Sequence, residues 1–163
     1  MNHGIWKHAP SLEMTAEQWD ETLRVSLTGA WAVCQQAARV MVPAGRGAIV
    51  TIASTAGPAG RSRARALRRV EGRAPGLTRS LGAELGPLGV RVNCVAPGWV
   101  VTDMSRDALV TPKGLRPRSA RSRGARPARP RRSLAAVAFL ASDRASYLYG
   151  EVLSVNGGAV MYD

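Results

Sequence analysis

The sequence predicts an α/β fold in which parallel strands alternate with helices, and three observations carry that reading. Two short runs rich in β-branched residues, Ala48 to Ala53 (AIVTIA) and Val90 to Val95 (VRVNCV), are bounded by glycine or proline, as strands buried on both faces are. Between and around them, apolar residues recur at three- and four-residue spacing, the period of a helix with one buried face. The alternation of the two patterns along the chain favours crossover connections and a parallel sheet.

Each element has its own signal. Thr15 and Gln18 have the spacing of a capping box, in which a hydroxyl and an amide satisfy orphan backbone groups at a helix start. Trp19, Leu23 and Leu27 follow at four-residue intervals. Trp31, Cys34, Ala38 and Met41 extend the stripe until Pro43 and Gly45 end it. The stripe reads as one helix or as two that meet near Thr28 and Gly29, because glycine lowers helix propensity by about 1 kcal/mol against alanine. After the AIVTIA strand, Leu77, Leu81 and Leu85 mark a second helical face, which Gly86 and Pro87 stop. The VRVNCV strand is expected to end in a turn at Ala96, Pro97 and Gly98. Ser133 is placed to cap a helix through Leu134, Val137, Ala138 and Leu140. A last strand over residues 151 to 155 precedes Gly157 and Gly158.

At 163 residues the chain suits one domain, 1–163, with a single core. No run approaches the roughly 18 apolar residues of a membrane span, and the start lacks a signal-peptide pattern, so a soluble, cytoplasmic protein is expected. Cys34 and Cys94 lack metal-ligand spacing and read as small buried hydrophobes, and no metal is predicted. His3 and His8 read as exposed terminal residues.

The net charge of +12 is unevenly placed. Residues 61–76 hold six arginines, and residues 113–132 hold one lysine and eight arginines, leaving 8 bases against 10 acids elsewhere. Pro117, Pro127 and Pro130 exclude one continuous helix in the second block, which is expected to be a disordered or extended loop. A basic surface for nucleic acid is one reading, since arginines neutralise phosphates. The blocks have little aromatic interleaving, which makes that reading the weaker one. Their Arg, Ala, Gly and Pro composition raises the hypothesis that each block is a short out-of-frame stretch of a GC-rich coding sequence.

Four segments, RVSLTGAW, GAIVTIASTAG, GLTRSLGAELGPLGVRVNCVAPGWVVTDM and AAVAFLASDRASYLYGEVLSVNGG, together resemble the C-terminal portion of the short-chain dehydrogenase/reductase family. Within it they are most similar to bacterial reductases and dehydrogenases of 3-oxoacyl-thioester, sugar or secondary-alcohol type. The resemblance implies a doubly wound, Rossmann-like parallel sheet, a nicotinamide cofactor (NAD or NADP) and a small carbonyl or alcohol substrate. Asn2, His3 and Gly4 align with the end of a stretch that in the family follows four strands. The resemblance therefore implies a partial sheet lacking the N-terminal nucleotide-binding half.

The resemblance also places the site. Ser54 matches the family's catalytic serine, whose hydroxyl polarises the substrate oxygen. The family's tyrosine and lysine, thirteen and seventeen residues beyond it, fall on Leu67 and Glu71, and counting back from Leu77 gives the same positions. The family's asparagine falls on Ser26. Pro97, Gly98 and Thr102 match the stretch that packs around the nicotinamide, and are expected to be vestigial; Asn93 matches a structural asparagine. Leucine has no proton to give, and a carboxylate repels the phenolate that an ammonium would stabilise. A catalytically dead member is therefore expected. The helices at 15–44 and 67–86 correspond to those through which the family forms oligomers, so association with itself or with an intact relative is a further reading.

Overall fold

The computed structural model describes residue 5 and residues 12–55, 74–110 and 127–160. Helix α1 (Ala16–Leu23) begins at the predicted capping box. The Gln18 N–H donates to Thr15 Oγ1 and the Thr15 N–H to Gln18 Oε1, both at 3.3 Å. Of the two alternatives for the stripe, the structure shows two α-helices whose junction ends at Thr28, without an unwound break. The chain passes instead through one π-helical turn, Arg24–Thr28, directly into α2 (Gly29–Met41). A π turn holds an extra residue per hydrogen-bonded ring, so it shifts the buried face without unwinding the helix. Beyond it Ala30 and Cys34 point into the core, while Trp31 of the predicted stripe is 45% exposed.

Strands β1 (Gly47–Ile52), β2 (Val90–Pro97) and β3 (Val152–Val155) form a parallel sheet in the order β1-β2-β3. The three predicted strands are present, with one correction. The turn expected at Ala96 to Gly98 starts later, because Pro97 is the last residue of β2 and pairs with Val155. Proline lacks the N–H, but its carbonyl still accepts from the Thr55 N–H at 3.1 Å, so the ladder continues on the acceptor side.

Helices cover both faces of the sheet. α2 and α3 (Ala74–Leu85) lie on one, where Cys34 and Leu85 pack with Ile49, Val90 and Val92. α5 (Pro130–Ala141) lies on the other, where Leu140 packs with Val50 and Val95. The two-residue period of a strand sorts β2 accordingly: Val90 and Val92 face the first layer, Val95 the second. A short helix, α4 (Asp103–Val110), follows β2 and was not anticipated.

The start of α5 corrects a second expectation. The helix begins at Pro130, with Arg129 as its extended N-cap, and Ser133 lies inside it. Proline at the first position has its φ preset for the helix and needs no N–H there, which outweighs a serine three residues on. Residues 130–132 of the second arginine block are therefore helical, not loop. Of the first block, residues 74–76 form the start of α3. The rest of 61–76, together with 113–126, lies outside the described residues, as do His3 and His8.

Both thiols are buried as expected, Cys34 at 1% and Cys94 at 0% exposure. Burial pushes each above its ordinary value. A raised acid in the folded state is fully protonated below the unfolded thiol's value, and that contribution to stability is lost as pH rises through the folded one. Native chain is thus expected to lose stability above about pH 8.5. At pH 8 neither thiol should react with a disulfide reagent until denaturant is added. Two fast-reacting thiols in native buffer would contradict this packing. No described helix is long and apolar enough to cross a membrane.

Candidate active site

At the carboxyl ends of β1 and β2, Ser54 and Pro97 are brought close together. Ser54 follows β1 in a bend fixed from both sides. The Ala53 N–H donates to Val95 O at 2.9 Å, and Thr55 donates twice to Pro97 O, from its N–H at 3.1 Å and its Oγ1 at 3.3 Å. Ser54 is half-buried between these two anchors. The same bonds bring Pro97 beside it, so the end of β2 and the Ser54 bend move as one unit.

Gly98 is required here by a close approach. Its N–H donates to Val155 O at 3.0 Å, and a Cβ on it would lie 2.8 Å from Asn156 Cα. Asn156 is held in turn, its Nδ2 donating to Val160 O at 2.7 Å and its Oδ1 accepting from the Gly158 N–H at 2.8 Å. Thr102 is exposed and begins the turn into α4. Its N–H donates to Ser105 Oγ at 3.0 Å, and the two hydroxyls lie 3.3 Å apart. Ser105 is buried, and its hydroxyl also donates to Val100 O. The fork of Ser105 onto this loop went unread in the sequence; Thr102 three residues before a serine is the signal for it.

Ser26 sits in the π-helical turn, its Oγ buried and without a hydrogen-bond partner among the described residues. π turns recur at functional sites, so its position is consistent with an active-site helix. Leu67 and Glu71 lie outside the described residues. Asn93 links β2 to the approach of β3: its Nδ2 donates to Leu148 O at 2.8 Å, and its Oδ1 accepts from the Glu151 N–H at 2.9 Å.

A family model described as enoyl-(acyl carrier protein) reductase matches residues 1–160. The chain belongs to the short-chain dehydrogenase/reductase family. Among curated members, it is 36% identical to D-threitol dehydrogenase of Mycolicibacterium smegmatis over 155 residues, which is 95% of this chain and 59% of that one. It is 37% identical to the 3-oxoacyl-[acyl-carrier-protein] reductase MabA of Mycobacterium avium, over 98% of this chain and 62% of that one. A gluconate 5-dehydrogenase from Burkholderia cenocepacia, solved in complex with NADP and tartrate, superposes with a TM-score of 0.94 at 28% identity, over 97% of this chain and 62% of that one. The chain thus spans about three-fifths of the length of the family members it matches, and within that span the family's Rossmann-type sheet is retained.

Proposed function

We propose that this chain carries the substrate-side frame of a nicotinamide-linked carbonyl or alcohol dehydrogenase, and that as written it does not turn over. One observation carries the reading. Ser54 stands at the carboxyl edge of the sheet, where the family's chemistry takes place, while the two positions that should supply a phenol and an ammonium hold Leu67 and Glu71. Ser54 can donate a hydrogen bond to a carbonyl oxygen and so polarise it. It cannot complete the reduction, which needs a proton delivered to that oxygen as hydride reaches the carbon.

NAD or NADP is the cofactor this reading implies, and the residues fit it only in part. Pro97, Gly98 and Thr102 form a surface that a nicotinamide ring could pack against. The sequence contains no G-x-G-x-x-G run to receive a pyrophosphate at a helix N-terminus. The Thr102 N–H and hydroxyl, which would meet a carboxamide, are already engaged by Ser105.

The reading is tested by titrating the purified chain with NADPH and following the fluorescence of its four tryptophans. No saturation is expected below about 1 mM, which corresponds to less than about 4 kcal/mol of binding. Micromolar, saturable binding would show that phosphate recognition does not depend on the glycine-rich turn, and would overturn the vestigial role given to Pro97, Gly98 and Thr102.

A further inference from the structure

A buried arginine is unaccounted for by the site. Arg91, near the start of β2, is 8% exposed, and its described acceptors are all backbone carbonyls: Leu140 O at 2.7 Å and Ala145 O at 3.0 Å from one nitrogen, Ser142 O at 3.1 Å from the other. Leu140 lies in the last turn of α5, and Ser142 and Ala145 in the turn that follows. The guanidinium therefore sits on the carbonyl end of α5, where the helix dipole is negative and the last carbonyls lack intrahelical partners. That placement compensates a buried cation without a carboxylate.

The other end of α5 is also tied to β2. Just before its N-cap, the Ala128 N–H donates to Trp99 O at 2.8 Å, and the Val101 N–H donates to Ala128 O at 3.0 Å, forming an isolated parallel bridge between Val100 and Ala128. α5 has 12 residues, a rigid rod of about 18 Å. It runs antiparallel to β2 and is fastened to the same strand path twice, by Arg91 at the amino end and by the bridge three residues past the carboxyl end. Gly98 and Trp99 lie between the end of β2 and that bridge, and Val101 and Thr102 follow it.

We propose that Arg91 is a positioning residue: by clamping the carbonyl end of α5, it fixes where the other end of that helix holds the Trp99–Val101 loop, and so sets the loop that lines the carboxyl edge of the sheet beside Ser54. The inference rests on the fold and not on nucleotide binding or turnover.

Amide hydrogen exchange of the full chain tests it. With Arg91→Met, the Val101 and Ala128 amides are expected to exchange on the order of tenfold faster, while the Ala53 amide, held by β2 alone, changes by less than about twofold. Arg91→Lys keeps a cation and three donors at the same carbonyls, and is expected to recover most of the protection. If Val101 and Ala128 keep their wild-type protection in Arg91→Met while Ser142 and Ala145 lose theirs, Arg91 is a local cap and the proposal fails. Should Arg91→Met not fold, Ala128→Pro approaches from the other end by removing the N–H donated to Trp99. Coupling between two sites is reciprocal, so this variant must speed exchange at the Ser142 and Ala145 amides. Unchanged exchange there overturns the proposal equally.

Discussion

Given NADH or NADPH and a panel of ketones, 3-oxoacyl thioesters and sugar alcohols, the purified chain is expected to react at least about 10²-fold more slowly than an intact family member does with its own substrate, since a positioned general acid alone contributes about 10²–10⁴-fold. The expected loss is assigned to two side chains acting in one step. A phenol at position 67 would protonate the carbonyl oxygen, but Leu67 has no ionisable proton. An ammonium at position 71 would lower the phenol's pKa and offset charge developing on that oxygen. Glu71 places a negative charge there, which acts in the opposite sense. Ser54 alone retains the capacity to polarise a carbonyl. The check is loss of nicotinamide absorbance with protein freed of host dehydrogenases, compared with a Ser54→Ala preparation of the same purity. A rate within tenfold of an intact relative, abolished by Ser54→Ala, would refute the reading.

Gly89→Ala is expected to destabilise the fold by about 2–5 kcal/mol, a large share of the roughly 5–15 kcal/mol that holds a domain together. Two costs add at this residue. Gly89 has φ +81°, a left-handed conformation that costs a residue with a Cβ about 1–2 kcal/mol. A Cβ there would lie 2.1 Å from Gly45 O and 2.7 Å from Gly45 C, both backbone atoms that no rotamer change can clear. Forcing them apart costs about 1–3 kcal/mol more. The contact matters because it joins the turn after α2 to the turn before β2, setting where β1 and β2 begin their register at Gly47 and Val90. Gly76→Ala is the internal control. Gly76 lies in α3, and among the described residues nothing comes within 4 Å of where a Cβ would stand, so alanine there is expected to stabilise by up to about 1 kcal/mol. Urea midpoints of the two variants should move in opposite directions, and equal midpoints would refute the account.

Much of the architecture is legible along the chain because it depends on neighbours in sequence. The capping box at Thr15 and Gln18, the β-branched runs that become β1 and β2, and the burial of Cys34 and Cys94 all follow from local pattern. Misreadings arise where two local signals compete: Ser133 against Pro130, Pro97 against a strand. In each case the answer came from a hydrogen-bond partner far along the chain or from a ring that presets φ, and neither is weighted by a residue's propensity alone.

The site divides the same way. The candidate positions Ser54, Ser26, Leu67, Glu71, Pro97, Gly98 and Thr102 are those the family resemblance implies. Their setting is not read from it. That Ser54 is pinned between Ala53 and Thr55 by the end of β2, that Ser105 already engages Thr102, and that Arg91 fastens α5 depend on contacts spanning up to 54 residues, or on a loop's path, and the chain's order cannot state them. The linear sequence determined the element types, since these depend on residue type and interval, and it is the source of the proposal that Leu67 and Glu71 stand where a phenol and an ammonium are needed. Tertiary structure decided which carbonyls receive each donor, because a buried polar group must find its partner wherever the folded backbone brings one within reach.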